Sequence, residues 1–395
     1  MQELIKVISE RYRKQFDQSP LLVVSPGRVN LIGEHTDYNE GFVLPAATDK
    51  AVVFALGARP DGFCHFVSHD FNQEFRCELG ELHVSPVRWP NYLQGVIEQL
   101  LKQGSRLQGV NCVFGGDIPI GAGMSSSAAI EGGLAFGLNE LFGLGLDKLT
   151  LVKLAQKAEN EFVGVNCGIM DQFINIHGLA KSVLKLDCRS LEFEYFPFER
   201  DDLRIVVSDT LVRRELAASE YNVRRAQCEE AVATIGRFYP GVKSLRDVSP
   251  DMLAAHAGDL EPVILRRADY VVRENIRVGQ ACEALLENDF RKVGELMNAS
   301  HEGLKNDYEV SSAELDILVE EARKVPGVMG SRMMGAGFGG CTISLVEAGA
   351  VYAFRQDVGA GYEAAVGREP KIYVIQIEAG ARLAESPGKP DQSLE

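Results

Sequence analysis

The stretch "GAGMSSSAAIEGG", Gly121–Gly133, sets the reading of the whole chain. It is a glycine and serine loop of the kind that wraps phosphate, but it lacks the lysine that a Walker-type loop, GxxxxGK[ST], requires. Just upstream, "VNCVFGG" is a short apolar run ending in glycine, as a strand does before a turn. Downstream, Ile130, Leu134, Leu138 and Leu141 recur at steps of four and three, the stripe of an amphipathic helix. The loop therefore sits at a helix N-terminus, with Ser125, Ser126 and Ser127 as N-cap candidates. Small residues there let backbone N–H groups approach an anion, and the helix end adds partial positive charge. A closely packed helix cap would use the same residues. The run of three hydroxyls adds the capacity to bind phosphate or ligate Mg2+.

Three other stretches stand out on either side. "GRVNLIGEHTDYN", residues 27–39, crowds Arg28, Asn30, Glu34, His35 and Asp37 between apolar runs at 21–24 and 42–44. A solvated charged turn has such a composition, and so does a polyol site, where each bond to a charged partner contributes roughly 1.5–3 kcal/mol. "NCGIMDQF", residues 166–173, carries Asp171 as the single acid among apolar or small neighbours. It reads either as a helix cap or as a partly desolvated carboxylate that pairs with an arginine and takes a proton from a hydroxyl. In "GAGFGG", Gly335, Gly337 and Gly340 match GxGxxG. That dinucleotide fingerprint needs a strand before it and a helix after it, whereas here the order reads as reversed, with "CTISLV" following as a strand, so a tight turn approaching a ligand or another loop fits better.

Around these stretches the chain alternates strands and helices without a regular βαβ repeat. An opening helix precedes strands at 21–24, 42–44 and 51–57; a helix spans 149–162; residues from about 215 to 325 are mostly helical; and "KIYVIQIE" is a late strand. This pattern predicts an α+β fold in two domains, 1–198 and 199–395, dividing near 195–205, with the last strand free to return to the first domain. The tail "ESPGKPDQSLE" reads as disordered. The 395 residues, 46% hydrophobic, suffice for a large core. A net charge of −15 argues against a nucleic-acid partner. Eight cysteines without a CxxC pair fit free thiols in a reducing cytoplasm, and no apolar run has the length of a membrane span. A monomer or weak homo-oligomer is expected.

Taken together, the four stretches resemble the GHMP kinases, from about Pro26 to Leu345 and in the order of that family. "GRVNLIGEHTDYNEGFVLP" is similar to the family's galactokinase signature, "PIGAGMSSSAA" to its nucleotide motif, "CGIMDQF" to its catalytic-aspartate segment and "MGAGFGGC" to its third motif. The resemblance implies an S5-like N-terminal domain against a ferredoxin-like C-terminal one, with ATP and D-galactose between them. It implies ATP at Gly121, Ala122, Gly123, Met124, Ser125, Ser126 and Ser127, with Trp89 near the adenine. Mg2+ would lie on Ser127 and Glu159, and the sugar on Glu34, His35, Thr36, Asp37, Gly168, Asp171 and Tyr221. Asp171 would be the base for the anomeric hydroxyl, and Arg28 would stabilise the transferred phosphoryl group.

Two positions depart from the family pattern. Met334 replaces a threonine in the third motif, and Arg214 stands where histidine is common; both are expected to alter kinetics without abolishing activity. A kinase for N-acetylgalactosamine or another sugar, and a silent sugar sensor, are the competing readings. The sensor reading predicts damage to the serine loop or to Asp171, and both are whole.

Overall fold

Alternation along the first long strands builds a sheet with two covered faces. In the computed structural model, which describes residues 1–119, 121–212 and 217–384, six strands run in the order Arg382–Leu383, Leu21–Asn30, Pro45–Arg59, Gly109–Gly116, Phe63–Ser68 and Gln73–Glu78. Only the pair Phe63–Ser68 with Gly109–Gly116 is parallel. Leu22, Val24, Val53 and Ala55 point to one face, where Ile5, Ile8 and Tyr12 of the opening helix Gln2–Phe16 cover them. Val23, Phe54, Leu56 and Phe66 point to the other, under helices Trp89–Lys102 and Ser126–Phe142. Burying both faces in this way is what lets the strands read as nearly continuous apolar runs.

The second half is built on a four-stranded antiparallel sheet ordered Val328–Met334, Cys341–Glu347, Leu203–Asp209, Lys371–Ile375. Helices Ala313–Lys324 and Val351–Val366 cover one face through Leu318, Ala322, Phe354 and Val358. Strand, helices, two strands, helix and strand follow one another along the chain, and with the strands placed in the spatial order above they form a ferredoxin-like split βαβ arrangement. Helices Ala217–Ile235 and Pro262–Leu286 pack beside it around Cys228, Ala231, Tyr270 and Val271. A small sheet, Phe42–Val43 with Ser182–Asp187 and Phe193–Pro197, packs on helix Met170–His177 through Val43, Phe173, Ile174 and Leu184. Past Ile375 the chain crosses back: Asp49 N–H donates to Gln376 O at 2.9 Å, and Arg382 pairs with Val24.

Local details differ from the sequence reading for physical reasons. The first strand, expected over 21–24, runs on through Pro26-Gly27 to Asn30 with a register shift between Pro26 and Arg28, the mark of a bulge. The glycine turn at 335–340 is preceded by a buried strand, Val328–Met334, pairing antiparallel with Cys341–Glu347, so it is a hairpin loop. Gly330 had disguised that strand. The helix expected over 149–162 becomes a π-helical turn at Ala158–Val163, a geometry common at functional sites. Arg214 and the tail from Glu385 lie outside the described residues.

Candidate active site

A bulge aims the first functional side chain. Between Pro26–Ala51 and Arg28–Ala47 the facing strand holds the surplus, residues 48–50 opposite Gly27 alone, and the Arg28 N–H donates instead to Met124 O at 3.1 Å, which draws the glycine and serine loop onto the strand. The Arg28 guanidinium then turns inward. Its Nε donates to Asp171 Oδ1 at 2.7 Å and its Nη2 to Asp171 Oδ2 at 2.8 Å, while Nη1 donates to Gly123 O. This bidentate fork fixes both groups in one plane. Burial opposes the Arg28 charge, but Asp171, with Glu34 and Asp37 further off, outweighs it and raises the pKa, so the guanidinium stays protonated.

Asp171 lies in the first turn of helix Met170–His177 and does not cap it. Beyond the Arg28 fork, Oδ2 accepts from the Ser125 hydroxyl. Ser125 occupies the N-cap position of helix Ser126–Phe142 in the left-handed conformation, φ 54°, yet its side chain makes no capping bond. The expected cap is spent on Asp171 instead.

The loop after the first strand is clamped from the second half of the chain. Arg332, fully buried, donates to Leu31 O at 2.8 Å, Asn30 O at 2.6 Å and Glu34 Oε1 at 3.1 Å. Gly335 N–H also donates to Glu34 Oε1, at 2.8 Å, and Glu274 accepts from Gly33 N–H at 2.9 Å. His35, with φ 63°, has Nδ1 2.8 Å from the Tyr38 hydroxyl and Nε2 3.2 Å from Ala336 O. Burial, with Arg224 and Arg332 nearby, lowers its pKa to about 3, so the ring is neutral. Asp37 is pushed the other way, up to about 7, by burial and then by Asp171 and Glu34.

These groups enclose a cavity of about 320 Å³ lined by Arg28, Glu34, His35, Asp37, Ser127, Glu159, Gly168, Asp171, Tyr221 and the 164–167 turn. Thr36, expected with them, is not in its wall. Its hydroxyl is fully buried, 2.9 Å from Gly33 O and 2.6 Å from Phe42 O, and ties the loop to itself. Arg28, Ser127, Gly335 and Ala336 are shared with a larger cavity of about 1200 Å³. Gly121, Gly123, Met124, Ser125, Ser126, Trp89 and Met334 line it, whereas Ala122 is buried behind the loop. Trp89 is held at the far wall by its Nε1–H, which donates to Gln73 Oε1 at 2.9 Å. Gly337 crosses close behind the turn: its φ is 87°, and a Cβ would lie 2.1 Å from Val310 O.

Between the cavities, Ser127 hydrogen-bonds the carboxylate of Glu159, whose pKa is raised by burial and then by Asp171. Gln172 Nε2 donates to Glu159 Oε2 at 2.7 Å and to Glu131 Oε2 at 3.2 Å. Glu131 is fully buried, and burial, with Glu159 beside it, holds its pKa well up. Sequence reasoning passed over Glu131 because an acid within a helix reads as a solvated position. The small residues around it, Ala128, Ala129, Gly132 and Gly133, are the signal that this side of the helix is packed. Asn166, Cys167 and Asn222 also line the smaller cavity without having been singled out.

Comparison with known proteins places this arrangement. The chain matches the family models of the GHMP kinases N terminal domain over residues 91–179, the GHMP kinases C terminal over 281–364 and the galactokinase galactose-binding signature over 10–58. It is 42% identical to a galactokinase of Roseiflexus sp. (strain RS-1) over 386 residues, 98% of each chain, and 41% identical to one of Exiguobacterium sibiricum over 96% of this chain and 98% of that one. It superimposes on the crystal structure of Lactococcus lactis galactokinase complexed with galactose with a TM-score of 0.92 at 38% identity, covering 95% of this chain and 99% of that one. The mevalonate kinase of Methanococcus jannaschii shares the fold, with a TM-score of 0.65 at 17% identity over 91% of this chain and 98% of that one. Matched by all three models and closely similar to such enzymes along almost its whole length, the chain belongs to the galactokinase family of the GHMP kinases.

Proposed function

We propose that this chain transfers the γ-phosphoryl group of ATP to the anomeric hydroxyl of α-D-galactose, giving galactose 1-phosphate and ADP, the first kinase step of galactose catabolism. The observation that carries the reading is the Arg28–Asp171 fork standing where a small polar cavity opens onto a larger one walled by the glycine and serine loop. The smaller cavity suits one sugar ring and the larger a nucleotide.

Asp171 takes the proton of the attacking hydroxyl, and its Oδ1 and Oδ2 are held for that task by Arg28 and Ser125. Arg28 keeps the carboxylate in plane and presents its positive charge to the transferring phosphoryl group. Glu34, His35, Asp37, Gly168 and Tyr221 surround the sugar, and Trp89 bounds the end of the larger cavity taken by the adenine. Ser127 and Glu159 are adjacent oxygen donors at the junction, a pair that fits Mg2+, which takes one or two protein oxygens and completes its shell with phosphates and water. When bound, the ion neutralises phosphate charge.

We place the division of the chain near residue 198, with the segment after Ile375 returning to the first sheet. The chain acts as a monomer or a weak homo-oligomer in this reading. Eight cysteines, none of them in a disulfide, support a cytoplasmic setting, and no helix among the described residues is long and apolar enough to cross a membrane. Purified protein with Mg-ATP and a panel of free sugars, read by ADP release and by the anomeric phosphate signal, tests the reading. Preferential turnover of galactose is expected, and equal use of glucose would overturn it.

A further inference from the structure

The ring of His35 is the junction of a hydrogen-bond chain whose direction can be worked out atom by atom. Ala336 O, a carbonyl, only accepts, so Nε2 of His35, 3.2 Å away, carries a hydrogen. A second hydrogen on Nδ1 would charge a ring that is almost fully buried, and burial, together with Arg224 and Arg332, opposes that. Nδ1 is therefore a bare lone pair and accepts from the Tyr38 hydroxyl at 2.8 Å. With its hydrogen committed, the Tyr38 oxygen accepts from Tyr308 at 2.7 Å, and the Tyr308 oxygen accepts from the Cys228 thiol at 3.2 Å. Cys228 Sγ accepts from Asn39 Nδ2 at 3.6 Å, and the same amide donates to the His35 carbonyl at 2.9 Å. From Asn39 through Cys228, Tyr308, Tyr38 and the His35 ring, each bond of the chain points toward Ala336.

We infer that Tyr38 and Tyr308, neither of which lines the sugar or the nucleotide cavity, are positioning residues that hold His35 as the Nε2–H tautomer and thereby tie the sugar loop to the glycine turn. The opposite tautomer would set a bare Nε2 against Ala336 O, and two acceptors facing each other would part the loop from the turn. Ala336 borders both cavities, so the chain of bonds sets the spacing between the two substrates. Tyr38 and Tyr221 pack against the His35 ring, with centroids 5.8 and 5.6 Å from it. This inference rests on the kinase reading for its kinetic consequence but not for its tautomer.

The test is a two-bond 1H–15N spectrum of 15N-histidine-labelled protein at pH 7, with His35 assigned by comparison with a His35→Gln variant. The expected pattern is an imine-like Nδ1 and a pyrrole-like Nε2. Tyr38→Phe keeps the ring packing but removes the donor; with only Ala336 O left to favour the Nε2–H form, the spectrum should move toward a mixture of the two tautomers, and the KM for galactose and for ATP should rise together, about tenfold each, with a smaller effect on kcat. Tyr308→Phe should move both in the same direction by less. A pyrrole-like Nδ1 or a charged His35 in the unmodified protein overturns the inference, as does a Tyr38→Phe protein with both KM values unchanged. Should Tyr38→Phe fail to fold, the unmodified spectrum decides alone. If that spectrum is as expected while galactose is not phosphorylated, the kinase reading fails and the tautomer assignment stands.

Discussion

Asp37 occupies the space that a side chain at residue 168 would need: a Cβ on Gly168 would lie 1.8 Å from Asp37 Oδ2 and 2.4 Å from its carboxyl carbon. Gly168→Ala must therefore displace Asp37 from the cavity wall. Galactose affinity is expected to fall about tenfold or more, the cost of a lost hydrogen bond to a charged group, while ADP affinity stays the same. Calorimetric titration with each ligand checks this, and a variant that keeps its galactose affinity would place Asp37 outside sugar recognition.

The Asp37 carboxyl also predicts a pH dependence. Because burial, then Asp171 and Glu34, raise its pKa to about 7, the unliganded fold holds a proton that an unfolded chain has released above roughly pH 4. The folded state binds more protons across that interval, so this group's contribution to stability declines as pH rises from about 4 through 7. Sugar hydroxyls that donate to the ionised form reverse the sign for binding: galactose affinity should rise toward pH 8, by up to about tenfold per unit below 7, with proton release on binding. Titrations in buffers of different ionisation enthalpy read that release. The dependence should flatten in Asp37→Asn.

For the fork itself, Asp171→Asn presents an amide that accepts at only one of two positions and takes no proton. Turnover should drop about 10²–10⁴-fold with ATP binding retained. Arg28→Lys offers a point charge where Asp171 and Gly123 O are bridged at once, so kcat should fall more than either KM rises. Steady-state kinetics on both variants distinguish these roles; an Arg28→Lys enzyme with a raised galactose KM and normal kcat would confine Arg28 to binding.

Ser127→Ala removes one of two neighbouring oxygen ligands, and Glu159→Gln removes the negative charge of the other and leaves it only a neutral amide oxygen. Each variant should need more Mg2+ for half-maximal rate, and Mn2+ titrated by electron paramagnetic resonance in the presence of ADP should bind more weakly to both. Unchanged metal titrations in the two proteins would remove these residues from the metal site.

Much of the site was legible because its chemistry sits in contiguous runs: Arg28, the serine loop and Asp171 each lie in a short stretch whose glycines announce close backbone approach. What was illegible depends on partners far along the chain. Nothing near Glu34 announces Arg332, which meets it across 298 residues. Thr36 reads as one more polar group of a polar loop, and only the fold shows its hydroxyl turned onto two carbonyls. Glu131 looked like a solvated helix position because a single acid carries no sign of the buried Gln172 and Glu159 beside it. The strand at 328–334 was hidden by Gly330, since local propensity is weak where pairing with Cys341–Glu347 supplies the stabilisation.

The short closing strand has a consequence for biosynthesis. Residues 382–383 form the edge of a sheet whose next strand is 21–30, so the first sheet reaches its final width only after nearly the entire polypeptide has left the ribosome. Until then Leu22 and Val24 belong to an edge strand with open backbone groups, which invites pairing between nascent chains. A stop codon shortly after Ile375 would leave every proposed catalytic group in place and still produce a polypeptide prone to self-association. Its defect would be found in the insoluble fraction of a cell lysate rather than in the kinetics of the molecules that survive.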